Sequence, residues 1–218
     1  MLLALPAMAL LAQPANAPSK EIAPGIFQIG AVRLDKEKRT IQFPAAVNMT
    51  NGLVEYFVVT GTGKLHESIL KTDTEPSQIH VAMLLLGAND SSTNARSTNV
   101  VGDKMSVEVS WKTGPTNKRV RAENLVFDSK AKLPMSNEGW IYNGSKVIGG
   151  TFIAQRDGSI VSIISDPLAL ANSAQADRDN DEIWFVNTNS VPPLNAKVEV
   201  TFQLESPQKK IKDAKNSK

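Results

Sequence analysis

A chain of 218 residues, 41% hydrophobic and 21% charged, has an ordinary globular composition, and is long enough to bury about 70% of its unfolded surface in one core. Its formal net charge of +2 is too near balance to imply a nucleic-acid partner, and 6% aromatic residues argue against extensive stacking platforms for bases or sugars. With no cysteine, the chain has no disulfide framework, thiolate metal site, thiol nucleophile or lipoprotein anchor.

Met1–Ala12 is an apolar run too short to cross a bilayer as a mature helix. Ala15-Asn16-Ala17 follows it and fits the small-x-small rule of signal-peptidase cleavage. A positively charged start is missing, since no Lys or Arg precedes Lys20, so either the true start lies upstream or the recorded one is wrong. A buried N-terminal helix is the alternative, and Pro6 and Pro14 argue against it. The expected organisation is a signal peptide over residues 1–17, one β-rich domain over 18–205, and a basic disordered tail over 206–218. No second apolar run approaches a membrane span, so the mature chain is expected to be exported and soluble, periplasmic or extracellular.

Along the domain, alternation dominates. Weaker strands are expected at Phe27–Leu34, Thr40–Phe43, Leu53–Thr60, Leu65–Lys71 and Lys118–Phe127. The clearest are Met105–Trp111, where Met105, Val107, Val109 and Trp111 alternate with polar residues, and Val198–Leu204. Arg33–Arg39 reads as a mixed-charge turn between strands. Gly61-Thr62-Gly63 predicts a hairpin turn, as does Asp157-Gly158 between Gly150–Arg156 and Ser159–Ser165, where both turn positions favour positive φ. One helix is expected over Pro76–Leu86, capped by Thr74 or Glu75 and ended by Gly87. Because Val81, Leu84 and Leu85 add to the face of Ile79, Ala82, Met83 and Leu86, it should be buried on several sides. A short helical turn is expected at Pro167–Ala171, and loops at Asn89–Asn99, Asp128–Asn137 and Asn172–Asp181. The fold class is therefore mainly β (α+β), with antiparallel sheets packed on one buried core helix.

Candidate sites are few. His66 and His80 are the only histidines, and Glu67 adjoins the first. On a strand, Glu67 would point with Leu65 and Ile69, an expensive place for a carboxylate without a partner. His80 lies near the start of the helix, where the dipole favours a neutral ring. A neutral imidazole and a carboxylate suit a divalent metal, so His66, Glu67 and His80 form the candidate metal site. Strand geometry weakens it, because adjacent residues face opposite ways. The alternative is structural: Glu67 accepts a hydrogen bond from His80 or pairs with Arg33. Asp177, Asp179, Asp181 and Glu182 offer oxygen ligands at alternate positions, but Glu182 stands where a calcium loop needs glycine, and Thr188 where it needs glutamate. Gly61–Lys64 lacks the spacing of a phosphate loop, and no serine sits in a nucleophile elbow.

The block from Gly30 to Ala88 resembles the YdjY-domain family of exported bacterial proteins, in Asn48-Met49, Glu55-Tyr56, Gly63-Lys64, His66-Glu67-Ser68 and His80. Gly139–Ser145 and Asp181–Trp184 also fit. The resemblance implies no established reaction, ligand or catalytic residue, but favours reading His66, Glu67 and His80 together. Two functions are expected from these residues: an exported binding or envelope-associated module without a catalytic constellation, or a metal-binding protein, in one form a metal-dependent hydrolase, built on His66, Glu67 and His80. A third is partner recognition by the loop Asn89–Asn99.

Overall fold

The computed structural model describes residues 19–89 and 100–205. The expected signal peptide, nearly all of the loop Asn89–Asn99, and the basic tail lie outside the described residues.

The described chain opens as an antiparallel meander of β1 (Ser19–Ala23), β2 (Ile26–Ile29), β3 (Val32–Asp35) and β4 (Thr40–Val47). Phe27–Leu34 is thus two strands, because Gly30, at φ +54°, turns the chain and sets Ile29 opposite Val32. β4 runs past Pro44 to Val47, further than the local pattern indicates. Pro44 sits where β3 has ended its pairing at Gln42 and β6 (Ser68–Thr72) has not begun its own at Ala46. β5 (Tyr56–Thr60) and β6 are parallel, so Gly61-Thr62-Gly63 opens a crossover and not a hairpin.

After α1 (Pro76–Leu85), β7 (Asp103–Thr113) and β8 (Thr116–Arg121) form a hairpin whose free edge carries Lys118 and Arg119, charges that discourage further pairing. The remaining elements are β9 (Val126–Asp128), β10 (Leu133–Pro134), β11 (Trp140–Tyr142), β12 (Val147–Ile148), β13 (Thr151–Phe152), α2 (Ile153–Asp157), β14 (Ser159–Ser162), β15 (Ala171–Ser173), β16 (Trp184–Val186) and β17 (Lys197–Leu204). The hairpin expected at Asp157-Gly158 is instead the end of α2: Gly158, at φ +71°, donates its N–H to Ala154 O as a left-handed C-cap. Pro167–Ala171 forms turns and no helix.

Eight strands close into a barrel in the order β4, β17, β7, β11, β15, β14, β5, β6, with β6 returning to β4. The fold is mainly β, as its alternation implies, but the expected antiparallel sheets packed on a core helix are replaced by a closed ring in which β5–β6 and β14–β15 are parallel. At its centre, Val200 and Phe202 of β17 oppose Val109 and Val107 on one side and Phe43 and Ile41 on the other, all buried. The rings of Phe43 and Phe202 meet edge to face, with centroids 5.3 Å apart, an arrangement contributing about 0.5–1.5 kcal/mol beyond burial.

α1 has Pro76 in its first turn and Gly87 at φ +83° just beyond, as expected, but the expected side-chain cap is not formed: Glu75 holds the N-cap position without a capping hydrogen bond from its side chain. It buries Ile79, Ala82 and Met83 against β2, β3, β4 and α2. Arg39 Nη1 reaches the carbonyl of Leu86 at 3.4 Å and satisfies part of the helix terminus. The helix is not enclosed on several sides, however: Val81, Leu84 and Leu85 are exposed by 40, 40 and 42%. Packing on one layer of strands covers one stripe, and the apolar residues beyond that stripe face outward.

Candidate functional site

His66 and Glu67 lie in a single 3-10 turn, Leu65–Glu67, and not on a strand. The turn removes the facing problem and brings His66 Nε2 to 3.6 Å from Glu67 Oε2, with the histidine side chain 79% exposed. His80 is placed elsewhere. Its Nδ1 lies 2.6 Å from Tyr142 Oη, and its ring centroid is 5.0 Å from that of Phe152. β6 separates the two positions: Glu67 precedes the strand and α1 follows it, a span of about 16 Å for five residues. Their neighbours agree. Glu55 N donates to Glu67 O beside Tyr56 at one end of β5, whereas Ser77 N donates to Gln155 of α2, which leads into Ser159 opposite Val59 at the other end. The structure therefore unites His66 with Glu67 and sets His80 apart. Arg33 is not Glu67's partner either; it donates to Gln42.

The partner of Glu67 is Lys64. Lys64 Nζ stands 2.8 Å from Glu67 Oε1 and 3.0 Å from Glu55 Oε2, and 5.1 Å above the Tyr56 ring. The approach to Glu67 is close but poorly aligned for a hydrogen bond, and is best described as an ion pair. Burial alone would lower the Lys64 pKa; the close approach of the Glu67 and Glu55 carboxylates outweighs it and holds the ammonium well above its ordinary value of 10.5. Behind this group Tyr56 Oη donates to Asp166 Oδ2, and burial followed by that carboxylate raises the phenol pKa far above 10.0. Asn48 Nδ2 donates to Leu65 O and Ser68 O, and Ser68 Oγ to Lys64 O. These contacts tie the crossover between β5 and β6 onto the barrel.

Among the described residues, no three His, Asp or Glu side chains gather as a metal site requires. Asp177 pairs with Lys130 at 2.8 Å, and Asn180 Oδ1 accepts the Glu182 N–H, the contacts of an acidic surface turn.

A site that the sequence reading missed lies on the small sheet β10-β9-β16. In β9 and β16 the inward positions are apolar, Val126 opposite Val186, with Trp184 also buried. The outward positions should then be polar. They are instead Phe127 and Phe185, directly opposed across the two strands and half-buried. They line a cleft of about 400 Å³ with Gly52 and Val186, and its rim is Ser129, Asn187, Thr188 and Asn189. Asn187 is buried and donates to Asn124 O at 2.8 Å, which fixes the turn that presents exposed Thr188 and Asn189. Among the described residues, none that lines this cleft carries an ionisable side chain. The available signal was the run of adjacent apolar residues in Val126-Phe127 and Trp184-Phe185-Val186, which breaks the two-residue period of a one-sided strand. Nothing local in the sequence says that the two phenylalanines are set opposite one another.

A family model, that of the YdjY domain, matches residues 32–203. No curated protein and no solved structure matches the chain.

Proposed function

The chain belongs to the YdjY-domain family, and we propose that this member is an exported, non-catalytic binding module that holds a neutral, amphipathic ligand in the Phe127–Phe185 cleft. One observation carries the reading: two aromatic side chains occupy outward sheet positions beside a cleft with polar but no ionisable lining. Its volume lies within the ~300–1,000 Å³ range of small-molecule sites. Neutral amides and hydroxyls can orient a ligand but supply no general acid or base near neutral pH. Meanwhile Lys64, Glu55 and Glu67 are engaged with one another. The apolar run Met1–Ala12 and Ala15-Asn16-Ala17 support export.

Heteronuclear NMR with phenol, cyclohexanol and a capped dipeptide, each at millimolar concentration, tests the reading. Shifts should concentrate at Phe127, Ser129 and 185–189, vanish in the F127S/F185S variant, and weaken for benzoate and benzylamine. Shifts scattered over the surface, or unchanged by the double substitution, would overturn it.

A further inference from the structure

We infer that the cleft on β9 and β16 is a saccharide site, its ligand a neutral pyranose unit stacked on Phe127 and Phe185. This rests on the binding reading above and names its ligand class. The two phenylalanines sit opposite one another in register on the outward face of the sheet and both line the cleft, so they offer apolar aromatic surface of the kind that the C–H face of a sugar ring covers. Among the described residues, the polar side chains that line the cleft with them are hydroxyls and amides, those of Ser129, Asn187, Thr188 and Asn189. These groups donate and accept, and so match sugar hydroxyls, which also do both. A nucleotide, a fatty acid or a charged peptide side chain would bring a charge for which the described lining residues offer no counter-charge, so nothing in the cleft would favour it over a neutral ligand.

The sheet edges exclude the other neutral ligand of this shape, an extended peptide added as a strand. The outer edge of β16 is already covered: Val54 N donates to Trp184 O, Val186 N donates to Gly52 O, and Leu53 bridges Phe185. At the opposite edge β10 is two residues long and ends in Pro134, which lacks a donor. A ligand here must bind through its faces and hydroxyls, not through a backbone ladder.

Titration calorimetry and heteronuclear NMR with maltohexaose, cellohexaose and chitohexaose provide the test. At least one should bind with shifts at Phe127, Phe185, Thr188 and Asn189. Its affinity should be insensitive to salt and fall about tenfold or more, ~1.4 kcal/mol, in F185A. Because F185A removes a half-buried ring, T188A and N189A are read alongside it; they alter only exposed side chains and should weaken binding without changing the melting temperature. If phenol and cyclohexanol map to the cleft while no oligosaccharide does, the saccharide assignment fails and the binding reading stands. If no neutral probe maps there, both fail. Shifts at these residues that depend on protein concentration and disappear in F185A would assign the face to a second copy of this chain, and would also overturn the saccharide.

Discussion

Arg121 and Glu123 offer a prediction whose magnitude follows from burial. Glu123 is 0% exposed, and its Oε1 accepts from Arg121 Nη2 at 2.7 Å. Among the described residues, its Oε2 has no donor and Arg121 Nε has no acceptor, so one contact supports a fully buried carboxylate. That hydrogen bond is also the main reason the Arg121 pKa is raised. Removing one member of a buried pair typically costs about 3–5 kcal/mol, because the other is left uncompensated. The two removals should differ here. R121M leaves a charge with no route to water, and should cost about 3–5 kcal/mol at neutral pH. E123L leaves an arginine whose side chain is already 36% exposed, and should cost about 1–2 kcal/mol. The double variant R121M/E123L should recover to within about 1 kcal/mol of the parent. Urea unfolding followed by tryptophan fluorescence reads all three, since Trp111, Trp140 and Trp184 are buried. Equal losses for the two single variants, or a loss below about 1 kcal/mol for R121M, would refute the reasoning.

Three further outcomes test the barrel and its clamp. G158A should destabilise more than G87A: both residues have positive φ, which costs about 1–2 kcal/mol, but a Cβ at 158 would meet Thr60 Oγ1 at 2.3 Å and Gly63 N at 2.8 Å, whereas nothing lies within 4 Å at 87; chemical denaturation of the pair isolates the clash. K64M should lose about 1–2 kcal/mol, a figure kept small because the lysine side chain is half exposed. As its folded pKa lies above the ordinary 10.5, that contribution is complete below this value, so the gap to the parent should stay flat from about pH 7 to about pH 10 and close only at higher pH. Asp35 is held below its ordinary 3.8, chiefly by the Lys38 backbone N–H; D35N should cost about 1 kcal/mol at neutral pH, and thermal melts should show the difference beginning to shrink as pH falls below the ordinary 3.8 and vanishing once it passes the lowered value of the folded state, where the parent carboxylate is neutral as well.

The parts legible in the sequence were those encoded locally. The two-residue alternation of β7 and β17 follows from one buried and one solvated face, and Pro76 and Gly87 mark the ends of α1 through their own backbone preferences. Gly158 shows the limit: its positive φ was readable, but a hairpin and a helix end both want it, and the choice between them lies in the pairing of β14 with β5. Ring closure was equally hidden, because strand order is a property of distant contacts and not of any window of residues. At the site, the contact of His66 with Glu67 was obscured by treating a 3-10 turn as strand, and Lys64 went unnoticed because its two acids approach from different segments. The aromatic cleft could be sensed only as a fault in periodicity at Phe127 and Phe185.

The place of β17 has a consequence for how the molecule is made. This last described strand lies between β4 and β7 and pairs along its length with both, so the ring stays open until residues 197–204 arrive. Until that strand emerges, Ile41, Phe43, Val107 and Val109 lack their central neighbour, and folding waits on contacts of very large sequence separation. The barrel is therefore a structure that locks with its last described strand, and any change that delays or removes that strand leaves two long edges unpaired.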